Sequence, residues 1–188
     1  MSVADARLLE KVARGLSEPW AAVDPVGQGS ILTVSAGVYG ARPVTDEVTI
    51  PTGFDPQAAA LFEALVEAAY LVATADGVLD DSEREAFAQV VTVACGGAVD
   101  DTTVHNLLAD LRDQLEEDGL DRRLKALGTA VTKLEHQREV LRIAGLLAHV
   151  SGGVSDAEES VLGKLARTFQ LPSREVDAAL DAVKSALA

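Results

Sequence analysis

The sequence predicts an all-α fold: a compact bundle of about seven helices with an internal pseudo-twofold repeat, preceded by an N-terminal extension. Three observations support this prediction. Apolar residues recur at helical spacing over most of the 188 residues. Start and stop signals divide this periodic region into segments of ordinary helix length. A helix, an acidic turn and a second helix follow one another twice along the chain.

The first 53 residues form the extension. A short amphipathic helix is predicted there from Leu8, Leu9, Val12, Ala13 and Leu16. Glycines and prolines then break any long helix between residues 18 and 53. The β-branched residues in 31–39 and 44–50 favour a short β-hairpin, with extended loop as the alternative for 30–40. Because an isolated hairpin is marginal in water, we expect it to lie on the helices or on another subunit.

Residues 54–188 are predicted to form one all-helical domain. Asp55 caps its first helix, Pro56 takes the first helical position, and the apolar face continues to about Ala75. Glycines directly after three of the later helices supply stop signals, and short loops favour antiparallel neighbours. The later helices are predicted at residues 81–95, 100–118, 120–134, 136–150, 156–169 and 172–186.

Composition limits the compartment and the partners. The chain has one cysteine and therefore no internal disulfide, which favours a reducing cytoplasm. No unbroken apolar run approaches the roughly 18 residues of a membrane span, and no signal peptide is recognisable, so we expect no membrane insertion. A net charge of −14 disfavours nucleic acid and anionic membranes. Cations and basic protein surfaces remain possible partners, although solubility alone also explains the charge.

The acidic turn is repeated. Residues 75–83 read Ala-Asp-Gly-Val-Leu-Asp-Asp-Ser-Glu, and about 76 positions later residues 151–159 read Ser-Gly-Gly-Val-Ser-Asp-Ala-Glu-Glu. In the preceding helices Leu65 aligns with Leu141 and Leu71 with Leu147. Two amphipathic hairpins can look alike by chance, but the matched Gly, Val, Asp and Glu argue for a duplicated unit. Two such units in one chain could bring their acidic turns close together.

Helix capping explains most residues of these turns. Gly77 can end one helix in the left-handed conformation, and Asp80 with Glu83 has the spacing of a capping box for the next. In the second copy Gly153 takes the stop role. The box is then either Asp156 with Glu159 or Ser155 with Glu158.

Asp76 is not explained by capping. It lies at a helix C-terminus, where the macrodipole disfavours a carboxylate by roughly 0.3–1 kcal/mol. Carboxylates and free helix carbonyls are the oxygen ligands that Ca²⁺ and Mg²⁺ prefer. The predicted metal ligands are therefore Asp76, Asp80, Asp81 and Glu83. The second turn has Gly152 where the alignment places Asp76, which leaves Asp156 and Glu159 as weaker candidates; a purely structural turn is the alternative.

These residues carry a resemblance to the tellurite-resistance TerB family. The first turn, from Ala73 to Leu79 with Glu83, matches the family pattern well, and the second, from His149 to Ser155 with Glu159, matches more loosely. The resemblance covers about residues 57–185. It implies an all-helical fold, divalent cations at the acidic turns, and a role in stress-response complexes near the membrane, without a known reaction. The substitution of Gly152 weakens any site in the second copy that needs a carboxylate there.

Three functional hypotheses follow. The first is a non-enzymatic, cation-responsive helical adapter in a cytoplasmic stress-response system, acting on a protein partner. The second is a scaffold that uses residues 1–53 for oligomer or partner contacts without metal. The third is an enzyme with carboxylates as general acid and base, which the lack of a nucleophile, a paired-histidine motif or a phosphate-loop signature disfavours.

Overall fold

The computed structural model describes residues 5–21, 29–41 and 55–188. Within those ranges the chain forms nine α-helices, one 3-10 helix and no strand, which confirms the all-α fold. The 3-10 helix, His149–Ser151, directly follows the seventh α-helix. The α-helices are α1 Ala6–Ser17, α2 Ile31–Gly40, α3 Pro56–Ala73, α4 Asp81–Ala94, α5 Asp101–Asp118, α6 Leu120–Ala130, α7 Leu134–Ala148, α8 Asp156–Thr168 and α9 Arg174–Leu187.

The predicted strand at residues 31–39 is wrong, because this segment is helix α2. The Ser30 hydroxyl caps it, accepting a hydrogen bond from the Thr33 N–H at 3.3 Å. Leu32 and Ala36 lie one helical turn apart and are completely buried, in a helix that packs against α3. Burial of this face outweighs the weak strand preference of the β-branched residues. The second predicted strand, residues 44–50, lies outside the described residues.

Helices α3 and α7 form the centre of the bundle. They pack extensively against each other, while α2 covers α3 and α9 covers α7. Phe62 and Leu65 of α3 and Leu141 and Ile143 of α7 are completely buried in one core. Helix α1 contributes to the same core and packs against α4 and α9. The division into residues 1–53 and 54–188 stays a prediction, and the two N-terminal helices share the hydrophobic core of the helices that follow.

Helix α3 is also the one described helix long and apolar enough to cross a membrane by length and composition. It spans 18 residues, and 67% of that window is buried inside the protein. Its apolar surface is used against α2 and α7. This is how the central helix of a folded bundle behaves.

A buried ion pair fastens the end of α1 to α7. Arg142 Nε donates to Glu139 Oε2 at 2.9 Å, and its other nitrogens donate to the carbonyls of Gly15 and Glu18 at 2.8 and 3.0 Å. Glu139 Oε1 accepts from the Trp20 N–H at 3.0 Å. Because both charges are hydrogen-bonded on several sides, the cost of burying them is offset. The pair also satisfies the last carbonyls of α1.

We expect Gly40→Ala to lower the free energy of unfolding by about 1–3 kcal/mol, as overpacking does. A Cβ at Gly40 would lie 1.9 Å from the carbonyl oxygen of Ala98, in the loop between α4 and α5, so one of the two backbones has to move. Gly37 in the same helix is the control. A Cβ there meets nothing within 4 Å, and Gly37→Ala should raise stability by about 0.5–1 kcal/mol. Urea denaturation measures both, and equal effects would contradict the close approach.

Candidate metal centre at the two acidic turns

The first acidic turn is built around a complete capping box. Helix α3 ends at Ala73 and α4 begins at Asp81. Asp80 Oδ1 accepts a hydrogen bond from the Glu83 N–H at 2.9 Å, and Glu83 Oε2 accepts from the Asp80 N–H at 3.0 Å. Gly77 has a φ of +155°, at the edge of the left-handed region that favours glycine. The predicted capping box of Asp80 and Glu83 is confirmed, whereas the predicted helix stop at Gly77 is not, because α3 already ends at Ala73 with Thr74 as its C-cap.

The second turn repeats the box with Ser155 and Glu158. The Ser155 hydroxyl accepts from the Glu158 N–H at 3.3 Å, and Glu158 Oε2 accepts from the Ser155 N–H at 2.7 Å. Of the two predicted boxes, this is the one that forms. Glu158 therefore corresponds to Glu83 and follows it by 75 residues, one fewer than the sequence alignment assumed.

This register changes which residue corresponds to Asp76. Counted back from the caps, the matching position is Ser151, while Gly152 matches Gly77. Ser151 closes the 3-10 helix, and its hydroxyl donates to the Ala148 carbonyl at 3.0 Å. Gly152 adopts the left-handed conformation with a φ of +107°. The second copy therefore lacks the carboxylate in either alignment.

Both capping glutamates leave one oxygen without a partner. Glu83 and Glu158 are each 1% exposed. Their Oε1 atoms are buried and accept no hydrogen bond from any residue that the structure describes. A buried carboxylate oxygen without a donor costs roughly 1–3 kcal/mol, and more when it is charged. The same defect at two equivalent positions of a repeat indicates a site that can take a further group.

The two turns lie within electrostatic reach of each other. Burial raises the pKa of the Glu158 carboxyl, and the negative charges of Asp76 and Glu83 raise it further. Hydrogen bonds from Ser155 lower this pKa in part. Two carboxylates of the first turn thus act on one carboxylate of the second, and Glu83 and Glu158 are closed to water. A bound cation would turn this repulsion into attraction.

The other predicted ligands of the first turn face outward. Asp76 is exposed, as are Asp80 and Asp81. Asp80 is engaged in the cap: hydrogen bonds from Ser82 and Glu83 hold the pKa of its carboxyl below the ordinary value. Asp81 is paired with Arg84 on the surface. The four predicted ligands Asp76, Asp80, Asp81 and Glu83 therefore do not form one compact ligand set.

The weaker candidates, Asp156 and Glu159, are both exposed in the first turn of α8. The buried acid between them, Glu158, is absent from the predicted ligands. The signal that could have identified it was its place in the alternative capping box. The side chain of a capping-box glutamate points back to the residue that caps the helix. At Glu158 this direction leads into the protein.

A separate group of potential ligands lies between α4 and α5. Its members are Glu85, Asp101 and His105, whose ligand atoms all lie within 4.8 Å of one another. His105 Nε2 lies 3.2 Å from Glu85 Oε2, and its Nδ1 lies 3.1 Å from Asp101 Oδ2. Both ring nitrogens already have a carboxylate partner, and the two acids are exposed. This group is the one such cluster among the described residues, and sequence analysis did not predict it.

The chemistry of the two turns fits a hard divalent cation. Carboxylate oxygens without hydrogen-bond donors are available at Glu83 and Glu158, and Asp76 adds a third acid. Ca²⁺ and Mg²⁺ take such oxygen ligands. A transition metal would instead be expected to recruit imidazole or thiolate. Cys95, the one thiol, is buried, and burial raises its pKa to about 12, so it offers no thiolate.

We expect Glu158→Gln to stabilise the metal-free protein by about 1 kcal/mol at neutral pH. Glutamine also serves in a capping box, and the change removes a buried charge that faces two other acids. Because the folded chain holds the Glu158 proton more tightly than the unfolded chain, the cost of ionisation appears as pH rises through the raised pKa. The gain should therefore vanish below the ordinary value of 4.5.

Urea denaturation in EDTA at neutral and acid pH measures this effect. Glu159→Gln, one residue further along and exposed, is the matched control and should change stability by less than about 0.5 kcal/mol. A destabilised Glu158→Gln protein at neutral pH would mean that the charge of Glu158 is already compensated.

Comparison with known proteins supplies the family. The family model described as "Tellurite resistance protein TerB" matches residues 62–181, from α3 through most of α9. Comparisons with curated proteins and with solved structures gave no significant match. The matched region contains both acidic turns and both capping boxes, and it spans well over half of the chain. The chain belongs to the TerB family of tellurite resistance proteins.

Proposed function

We propose that this protein is a non-enzymatic, cation-responsive helical adapter, and that Ca²⁺ or Mg²⁺ binds between its two acidic turns. The observation that supports this most directly is the pair of buried, unpartnered oxygens, Glu83 Oε1 and Glu158 Oε1. They come from equivalent positions of the repeat, and the charge of Asp76 acts on the same region. Membership of the TerB family supports a tellurite-resistance-like role.

In this proposal Glu83 Oε1 and Glu158 Oε1 hold the ion, and the exposed Asp76 adds its negative charge to the same region. Asp80 keeps the turn in shape through its cap, and Asp81 remains on the outer side with Arg84. Ca²⁺ takes 6–8 oxygen ligands, so backbone carbonyls and water would complete the shell. Three carboxylates outside an EF-hand arrangement suggest a modest affinity. When bound, the ion supplies positive charge that joins two turns which otherwise repel each other.

The adapter role follows from what the turns connect. The first turn joins α3 to α4 and the second joins α7 to α8, so an ion shared by both fixes one end of two helical hairpins. Val78, at the tip of the first turn, is 78% exposed and available to a partner. The surrounding negative charge favours a basic protein surface. A cytoplasmic stress-response complex near the membrane is the setting that the family suggests for this partner.

Isothermal titration of the metal-free protein with CaCl₂ and MgCl₂ tests the site. We expect saturable binding of one ion. Asp76→Asn and Glu158→Gln should each weaken it, Glu158→Gln by about tenfold or more, because each removes a negative charge that acts on the ion. Glu159→Gln is the control and should bind like the unchanged protein, since Glu159 is exposed on the neighbouring position of α8.

Two results would contradict this assignment. Equal affinity in all variants would place the ion elsewhere. Loss of binding in His105→Gln, with no change in Asp76→Asn or Glu158→Gln, would assign it to the cluster of Glu85, Asp101 and His105.

A scaffold that needs no metal is the second candidate. An apolar groove of about 190 Å³ lies between α1 and α4 and is lined mainly by small and apolar side chains, including Leu9 and the exposed Val93. Because α1 forms one wall of this groove, the N-terminal extension is part of a surface that a second molecule could cover. Light scattering at increasing protein concentration tests this: we expect Val93→Lys to abolish any dimer, and a monomer at all concentrations would contradict self-assembly.

A further inference from the structure

A cavity lies beside the first turn, and none of the acids of the two turns is among its lining residues. It has a volume of about 60 Å³ and is enclosed by α3, α4, α5 and the tip of the first turn. Its lining combines apolar side chains with an unusual number of hydrogen-bond donors for so acidic a protein. The lining residues are Tyr70, Val78, Leu79, Arg84, His105, Leu108, Ala109 and Arg112.

Around this cavity the arginine side chains are less exposed than the acids that pair with them. Arg84 is paired with Asp81, and Arg112 with Asp113. In each pair the arginine is the less exposed member, at 33% against 95% for Asp81 and 45% against 67% for Asp113. His105 is likewise less exposed than its carboxylate partners. The two arginines therefore line the cavity, and the acids that pair with them are the more exposed members of each pair.

Tyr70 adds a further donor to the same lining. Its side chain is buried, and this burial raises the pKa of the phenol. The nearby positive charges of Arg112 and Arg84 lower that pKa in part, so the Tyr70 side chain lies within the field of both arginines. A neutral phenol hydroxyl donates one hydrogen bond. Two guanidinium groups and one phenol thus line a space of about 60 Å³. One water molecule needs about 10–15 Å³ of such space, so the cavity has room for a ligand of a few heavy atoms.

We propose that this cavity binds a small aliphatic carboxylate, whose carboxylate group is held by Arg84 and Arg112 and whose alkyl part lies on Val78 and Leu108. The planar guanidinium fork matches a carboxylate in geometry and charge. The exposed Val78 at the rim provides apolar surface for the carbon chain. This site shares no ligand residue with the proposed cation site.

The negative net charge of the protein opposes the binding of an anion and lowers its affinity. Asp113 and Glu116 already act on Arg112 and Tyr70. A ligand anion, however, replaces an exposed carboxylate in a surface ion pair, and such pairs are worth only about 0–1 kcal/mol. The displaced acids keep their hydration. Millimolar affinity is therefore expected, and doubly charged phosphate should bind less well than a carboxylate because its second charge meets the surrounding acids.

Nuclear magnetic resonance titration of the full chain in EDTA, at constant ionic strength, tests the proposal with sodium butyrate. We expect saturable shifts of the Val78 methyl and the Arg84 and Arg112 Nε–H signals. Acetate should bind about threefold more weakly, since it lacks the carbons that would lie on the apolar rim. Inorganic phosphate should bind more weakly than butyrate.

Arg112→Gln should weaken butyrate binding at least about fivefold, and Tyr70→Phe should weaken it by a smaller factor while leaving the packing of α3 intact. Arg122→Gln is the matched control: Arg122 is exposed, pairs with Asp118 on α5, and lies outside the cavity lining, so the affinity should not change.

Three outcomes would overturn the proposal. The first is a shift that never saturates and is reproduced by sodium chloride. The second is tighter binding of phosphate than of butyrate. The third is unchanged butyrate affinity in both Arg112→Gln and Tyr70→Phe.

Discussion

A helix that begins inside a protein must find partners for its first backbone N–H groups, and in α4 and α8 a glutamate helps to meet this requirement. Glu83 and Glu158 each use one carboxylate oxygen to accept the N–H of the capping residue. The fold buries both side chains to do so, and each second oxygen is left without a donor. The proposed metal centre depends on this constraint, because the contacts that start the two helices also create the oxygens that an ion would take.

The helices and their caps could be predicted because their signals are local. Asp80 and Glu83 are three residues apart, and nothing distant is needed to recognise the box. The strand prediction at residues 31–39 was wrong because the helix there depends on distant contacts. Leu32 and Ala36 are buried in a helix that packs against α3, and local residue preferences contain no information about that packing. The repeat is recognisable in the sequence, but an alignment of identical residues pairs Glu83 with Glu159. Hydrogen bonding pairs it with Glu158, and only the latter is buried.

Contacts between distant segments could not be predicted at all. Arg142 reaches the carbonyl of Gly15, 127 positions away, and Arg123 of α6 pairs with Glu67 of α3 at 2.6 Å. In the sequence these residues look like ordinary charges of helix faces. Their partners become visible only when the fold has placed α1 against α7 and α6 against α3. Glu158 belongs to the same class, since the influence of Asp76 on it arises from the meeting of the two turns.

The first turn separates two regions of opposite charge, and this arrangement couples the two proposed sites. Asp76 and Glu83 face an environment that an added cation would stabilise, whereas Arg84, next to Glu83, lines a cavity that an anion would stabilise. Leu79 is buried between the residues of the turn and forms part of the cavity wall. An ion that orders this turn therefore also orders the wall, and opposite charges bound on neighbouring residues attract each other. By reciprocity, a carboxylate in the cavity should favour the cation as much as the cation favours the carboxylate.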